Sequence, residues 1–297
     1  LMAPLVERFD EVRDFTQSPL IGWPSHPFVA ARFGVRGLWP ATTLARSFRH
    51  DEAKGLLAGL SAHACLPLSR PFTGGLGVML GLMAHGVGWP VAEGGSQAIV
   101  DALAAVVREH GGQILVNRHM TKLDELPAAD AVLLDVSPRQ LVQMAGGRLD
   151  GWRGRPYRRY RYGWSACKAD YVLSGPMPWT AEPARRAGTV HLGGTIGEVG
   201  ASERAVARGD VSDHPYVLVA QATVADPTRA PTGRHTLWAY CHVPNGDPRD
   251  ASVPIEAQFD RYAPGWRDLV LGRAVRTAPE FADYNANAIA GEVAADG

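Results

Sequence analysis

The sequence predicts a mixed α/β chain of the α+β kind, and three observations predict it. The first is a glycine pair that opens a helix: Gly94-Gly95-Ser96 precedes residues 97–110, where Ile99, Val100, Leu103 and Val106 share one face and Gly111-Gly112 ends the run. The second lies just downstream of that helix. Alternation at Gln113–Val116 reads as a short strand pair, and Ala131-Val132-Leu133-Leu134-Asp135 reads as a buried strand. The third is a change of character beyond about residue 155, where Tyr160–Leu173, Thr189–Gly193, Tyr216–Ala222 and Thr236–Val243 cluster β-branched and aromatic residues between Pro, Gly and Asp. Glycine pair, helix, strand pair and strand are the middle of a dinucleotide-binding domain, yet no glycine-rich βαβ turn precedes them.

Composition bounds the remaining possibilities. With 297 residues, 46% of them apolar, the chain can bury a large core in one or two domains. Thirty basic residues balance thirty acidic ones, so no global field draws it to nucleic acid or an anionic membrane. Cys65, Cys167 and Cys241 are widely spaced and odd in number, which argues against a disulfide framework and fits a reducing, cytoplasmic setting. The first residues carry no basic stretch or cleavage site of a signal peptide.

From Pro71 to Ala92 there is no charged side chain, about the length of a bilayer span. Six glycines, His85 and Pro90 in that window favour instead a buried helix from about Gly75 to His85 and a strand entering at Val91. Peripheral contact with a membrane through an apolar surface is left open. Upstream, Leu5, Val6, Phe9, Val12 and Phe15 predict an amphipathic helix over 4–17, with short helices at about 27–35, 40–48 and 51–62. His50-Asp51-Glu52 places acids in the first turn of the last one, where the helix dipole favours them. Downstream, Pro138 starts a short helix through Met144, and helices at about 194–208, 253–263 and 279–285 interrupt a mixed sheet.

Several patterns have competing explanations. Gly75-x-Gly77-x-x-x-Gly81 imitates a dinucleotide fingerprint, but Ser69-Arg70-Pro71-Phe72 is no hydrophobic strand, so helix packing is the better reading. Arginines and aromatics alternate from Trp152 to Tyr162; with zero net charge they read as a solvated strand edge rather than a nucleic-acid surface. No histidine stands at metal-ligand spacing from a second ligand, so no metal is expected. His191 and His242 lie in predicted strands and read as core or pocket histidines. No Gly-x-Ser-x-Gly elbow or P-loop is present.

Together, His191-Leu192-Gly193-Gly194-Thr195, the run Leu237–Gly246, the Gly94–Ala98 helix start and the Ala131–Asp135 strand with Pro138-Arg139-Gln140 carry a likeness. The chain resembles phytoene-desaturase-like FAD-dependent oxidoreductases, of the amine-oxidase and phytoene-dehydrogenase superfamily, as far as Asp283-Tyr284-Asn285-Ala286-Asn287. The resemblance implies an incomplete FAD/NAD(P)-binding domain interwoven with a substrate domain of mixed sheet and helices. Residues 1–91 would be a helical part of the substrate domain, 92–137 a returning segment of the FAD domain, 138–282 the substrate-domain sheet, and 283–297 the start of a C-terminal FAD segment.

Cofactor contacts would then fall on Gly94, Gly95 and Ser96, on His119 and Met120 beside Arg118, and on Asn287 and Gly291. Trp238, Tyr240 and His242 would wall a cavity for a hydrophobic, carotenoid- or isoprenoid-like substrate. The chemistry would be hydride transfer to the flavin, with no acid–base constellation required. Two departures matter: the GxGxxG unit and the glycine-rich C-terminal FAD motif are absent. The chain therefore reads as an internal fragment that binds FAD weakly or not at all. A flavin-dependent isomerase of the same fold, and a non-catalytic binding protein on a degraded form of it, remain as alternatives.

Overall fold

A computed structural model describes residues 2–18 and 23–293. Its fold is α+β, built on one five-stranded sheet in the order β2-β3-β4-β1-β5. The strands are β1 (Ser165–Leu173), β2 (Thr189–Leu192), β3 (Val217–Ala220), β4 (His235–Val243) and β5 (Val270–Arg276). Every pairing is antiparallel, which corrects the expectation of a mixed sheet. Strand β5 is an addition to the expected set. It is an edge strand with little burial and Gly272 in its middle, so it carries no apolar alternation.

Strand alternation gives the sheet two distinct faces. One presents Leu192, Val217, Cys241, Cys167, Ala239 and Ala169 to the Ser252–Tyr262 helix, whose Ile255 and Phe259 fill the main core with Trp179 and Trp266. The other presents a row that the register fixes as His191, Leu218, Tyr240 and Lys168 across β2, β3, β4 and β1. Against the His191 end of this second face lie two helices. Asp51–Ala62 brings Ala58 and Ala62, and Ile196–Ala207 brings Val199, onto Tyr216. The Ile196–Ala207 helix starts on a capping box, Thr195 with Glu198, which satisfies its first free N–H groups.

The N-terminal residues form a helical layer. The amphipathic 4–17 stretch is broken into Ala3–Val6 and Phe9–Thr16, followed by Pro27–Gly37, and these pack Leu5, Val12, Val29 and Phe33 on Val78 and Leu82. Thr73–Gly86 forms the buried helix expected near 75–85, and its glycines show why. A Cβ on Gly75 would stand 2.5 Å from the Gly37 carbonyl oxygen, and one on Gly77 would collide with Ser61 Oγ. These are close helix approaches, not a phosphate-binding turn. Among the described residues no helix is long and apolar enough to cross a membrane.

Three expectations in the middle of the chain fail. Residues 91–92, 113–116 and 131–135 form no strand. Gln97–Glu109 is a helix as expected, but it buries no residue, and Leu103, Leu115 and Leu133 are 64%, 70% and 96% exposed. A strand requires a ladder partner, and none of the described residues supplies one to these runs. The arginine-rich stretch is no strand edge either: Arg155–Arg158 is a helical turn, and Arg158 donates to the Leu149 and Gly151 carbonyls. Of the expected 283–297 segment, the last four residues lie outside the described residues.

Candidate functional site

A cleft of about 530 Å³ lies between the Asp51–Ala62 helix, the Thr73–Gly86 helix and strand β2 and gathers apolar and titratable side chains. Leu56, Leu60, Ala84, Trp89 and Val199 give it apolar walls; Glu52, His85, His191 and Tyr216 supply its titratable groups. No lysine or arginine lines it.

His191 reaches this wall because Gly59 lets the helix backbone come close. A Cβ at position 59 would lie 2.7 Å from His191 Nδ1. The other ring nitrogen, Nε2, is 3.1 Å from His63 Nε2, so one of the two rings donates and the other accepts. Burial, and then the neighbouring His63, push the His191 imidazole down to about 3. His63 is lowered as well, by burial and then by the charge on His242. Both rings are therefore neutral at physiological pH, and His191 can give or receive a hydrogen bond but is a poor base.

Behind the cleft wall lies a buried polar seam. Tyr216 donates its hydroxyl proton to the Gly59 carbonyl at 3.1 Å, and its ring packs against both His191 and His242. His242 Nδ1 lies 2.9 Å from Glu203 Oε2, and both side chains are shut off from solvent. Cys65 Sγ is 3.6 Å from His242 Nε2. Burial works against a charge on His242, but the Glu203 carboxylate and the Cys65 contact outweigh it and hold the imidazole up to about 10. Cys65 has φ of 49°, a left-handed backbone unusual for a non-glycine residue. Neither Cys65 nor His242 lines the cleft, since Tyr216 stands before His242. The thiol, imidazole and carboxylate tie the helical layer to the sheet through buried polar contacts.

The residues expected at a substrate wall are brought together in part. Trp238, Tyr240 and His242 form one ladder on the second sheet face, Trp238 and Tyr240 being stacked with centroids 6.3 Å apart. None of the three lines the cleft, whereas His191 does. The register of β2 to β4 carries His191 and Tyr240 on the same face.

The residues expected at FAD lie in the turn at 94–96, in a loop at 119–120 and in the stretch at 287–291. Gly94 donates its N–H to Asp226 Oδ2 at 2.9 Å, and Gly95, at φ of 105°, lies under the Arg229 guanidinium. Ser96 precedes the helix without capping it by its side chain. His119 is exposed and Met120 half-buried, in neither helix nor strand. Asn287 accepts from the Ser137 N–H at 2.8 Å in a shallow cleft of about 380 Å³ that also includes Asp135 and Tyr162. Gly291 packs its Cα onto the Ala278 backbone, leaving no room for a side chain there. The Gly94 N–H is thus taken by a carboxylate and is not free for a phosphate oxygen.

Sequence reasoning missed Glu203, His63, Cys65, Tyr216 and Gly59. Cys65 and His242 are 177 residues apart and His242 and Glu203 are 39 apart, so no local spacing marks the cluster. No protein-family model matches the chain, and no curated protein matches it. Among solved structures it is similar to an oxidoreductase from Methanosarcina mazei, with a TM-score of 0.57 and 15% sequence identity. The match covers 92% of this chain and 63% of that one, so the chain spans under two thirds of its neighbour's length and shares its fold.

Proposed function

We propose that the chain forms the substrate-holding part of an oxidoreductase that acts on a hydrophobic small molecule, with FAD as the cofactor of the complete activity. The observation that carries this reading is the apolar cleft of about 530 Å³ at the junction of helical layer and sheet, in a fold shared with an oxidoreductase. The sequence resemblance to phytoene-desaturase-like flavoproteins supports the cofactor and the hydride chemistry that a flavin supplies when bound.

This chain's own residues would orient the substrate and exclude water. Leu60, Val199 and Trp89 surround its apolar part, and His191 offers a neutral hydrogen-bonding nitrogen. With the Gly94 N–H taken by Asp226, the chain on its own is expected to hold FAD weakly or not at all. Titration of the purified chain with FAD, followed by flavin fluorescence and by the absorbance retained after gel filtration, tests this. Less than one tenth of a flavin per chain is expected. Stoichiometric retention would refute the reading of the glycine turn.

A further inference from the structure

The geometry points to the ligand class of the cleft: an apolar chain or ring system bearing one uncharged polar group, a hydroxyl or a carbonyl, bound at His191 Nδ1. This rests on the reading of the cleft as the substrate site. It adds what that site selects.

Charge comes first. The wall has no lysine or arginine, and its one carboxylate, Glu52, repels a carboxylate or phosphate brought to the same rim. An anionic headgroup would lose its water without gaining a cation. A neutral polar group has a partner. His191 Nδ1 lies beside Gly59, itself part of the wall, and takes no hydrogen bond from the described residues. The opposite nitrogen is held by His63.

The His63 contact also decides what Nδ1 can bind. If His63 donates across the 3.1 Å contact, the proton of His191 is on Nδ1, which then donates to a carbonyl or hydroxyl oxygen. If His191 donates instead, Nδ1 is bare and accepts from a hydroxyl. One shared proton thus suits the site to either group, and burial keeps both rings uncharged. The other titratable side chains on the wall are Glu52 and His85, from the two helices, and Tyr216.

Calorimetric titration of the full chain at pH 8, without flavin, with 1-dodecanol, 2-dodecanone, dodecanoate and dodecane below their aggregation limits tests the inference. The alcohol and ketone are expected to bind at least about tenfold more tightly than dodecanoate or dodecane. In His191→Leu that advantage over dodecane is expected to fall about tenfold for both polar ligands, with dodecane binding unchanged. Tightest binding by dodecanoate, equal binding of dodecane and dodecanol, or no binding of any of the four would overturn it. The ranking on the unaltered chain decides the matter even if His191→Leu does not fold. Since no flavin enters this titration, its failure and a failure of the FAD reading are separate results.

Discussion

Replacing Glu203 by Gln tests whether the buried imidazole of His242 is charged. In the folded chain Glu203 holds His242 up to about 10, against an ordinary value of about 6.5. The folded state therefore binds this proton more tightly than the unfolded one. A raised value contributes stability that is complete below about pH 6.5 and is lost as pH climbs to about 10. Between pH 7 and 9 that loss is about 2–3 kcal/mol. In Glu203→Gln the amide oxygen still accepts from Nδ1–H, but burial then works unopposed by the carboxylate, so His242 is neutral and the loss disappears. The variant should be less stable than wild type by about 3–4 kcal/mol at pH 7 and by only about 1–2 kcal/mol at pH 9.

Urea melts by far-ultraviolet circular dichroism at pH 7, 8 and 9 measure this gap. Cys167 and Cys241, whose thiols are pushed up chiefly by burial and, for Cys241, also by Glu203, add a downward slope to both proteins at the alkaline end, so the change in the gap between pH 7 and 8 is the quantity to read first. A constant gap across the three pH values would show that His242 is neutral in the native chain and that the carboxylate is not its counter-ion.

Three further tests concern packing. Gly75→Ala places a methyl 2.5 Å from the Gly37 carbonyl oxygen and 2.8 Å from its Cα, backbone atoms with no rotamer to relieve the clash, so a loss of about 2–3 kcal/mol is expected in a urea melt. Gly34→Ala, whose new methyl meets nothing within 4 Å, should instead gain about 0.5–1 kcal/mol, and a loss there would refute the helix geometry. Leu103→Lys probes the 97–109 helix: with Leu103 64% exposed, stability should stay within about 0.5 kcal/mol, and a loss above about 1.5 kcal/mol would show that this face is packed in solution.

The helices were legible where one apolar face and its punctuation agreed. Asp51–Ala62 begins and ends at the residues its acids and spacing predict, and the glycine-rich Thr73–Gly86 helix accords with the absence of a hydrophobic strand before it. The four predicted strands of the main sheet appear for the same reason, three of them shorter than expected and the fourth, His235–Val243, one residue longer. The runs at 113–116 and 131–135 show where pattern stops deciding. Apolar alternation marks a chain able to form a strand, but hydrogen-bonding partners from elsewhere decide whether it does. The buried seam was illegible because it is made by topology. Strand β4 carries His242 beneath a turn at Cys65 and a helix at Glu203, and nothing within a dozen residues of any of the three announces the others.

Gly59 explains why seam and cleft occur together. An alanine in the middle of Asp51–Ala62 would favour the helix by up to about 1 kcal/mol over glycine, so the glycine carries a local cost. What it permits is threefold. His191 can press its ring to the helix backbone, Tyr216 can bond the Gly59 carbonyl, and the cleft gains a wall of bare backbone beside an unengaged imidazole nitrogen. A methyl at this position would sit 2.7 Å from Nδ1 and force the ring away. That motion would pull His191 from His63 and press Tyr216 toward His242, because each ring packs on the next. The position where the helix gives up its own preference is thus the one where the cleft wall and the buried Glu203–His242 pair share a support.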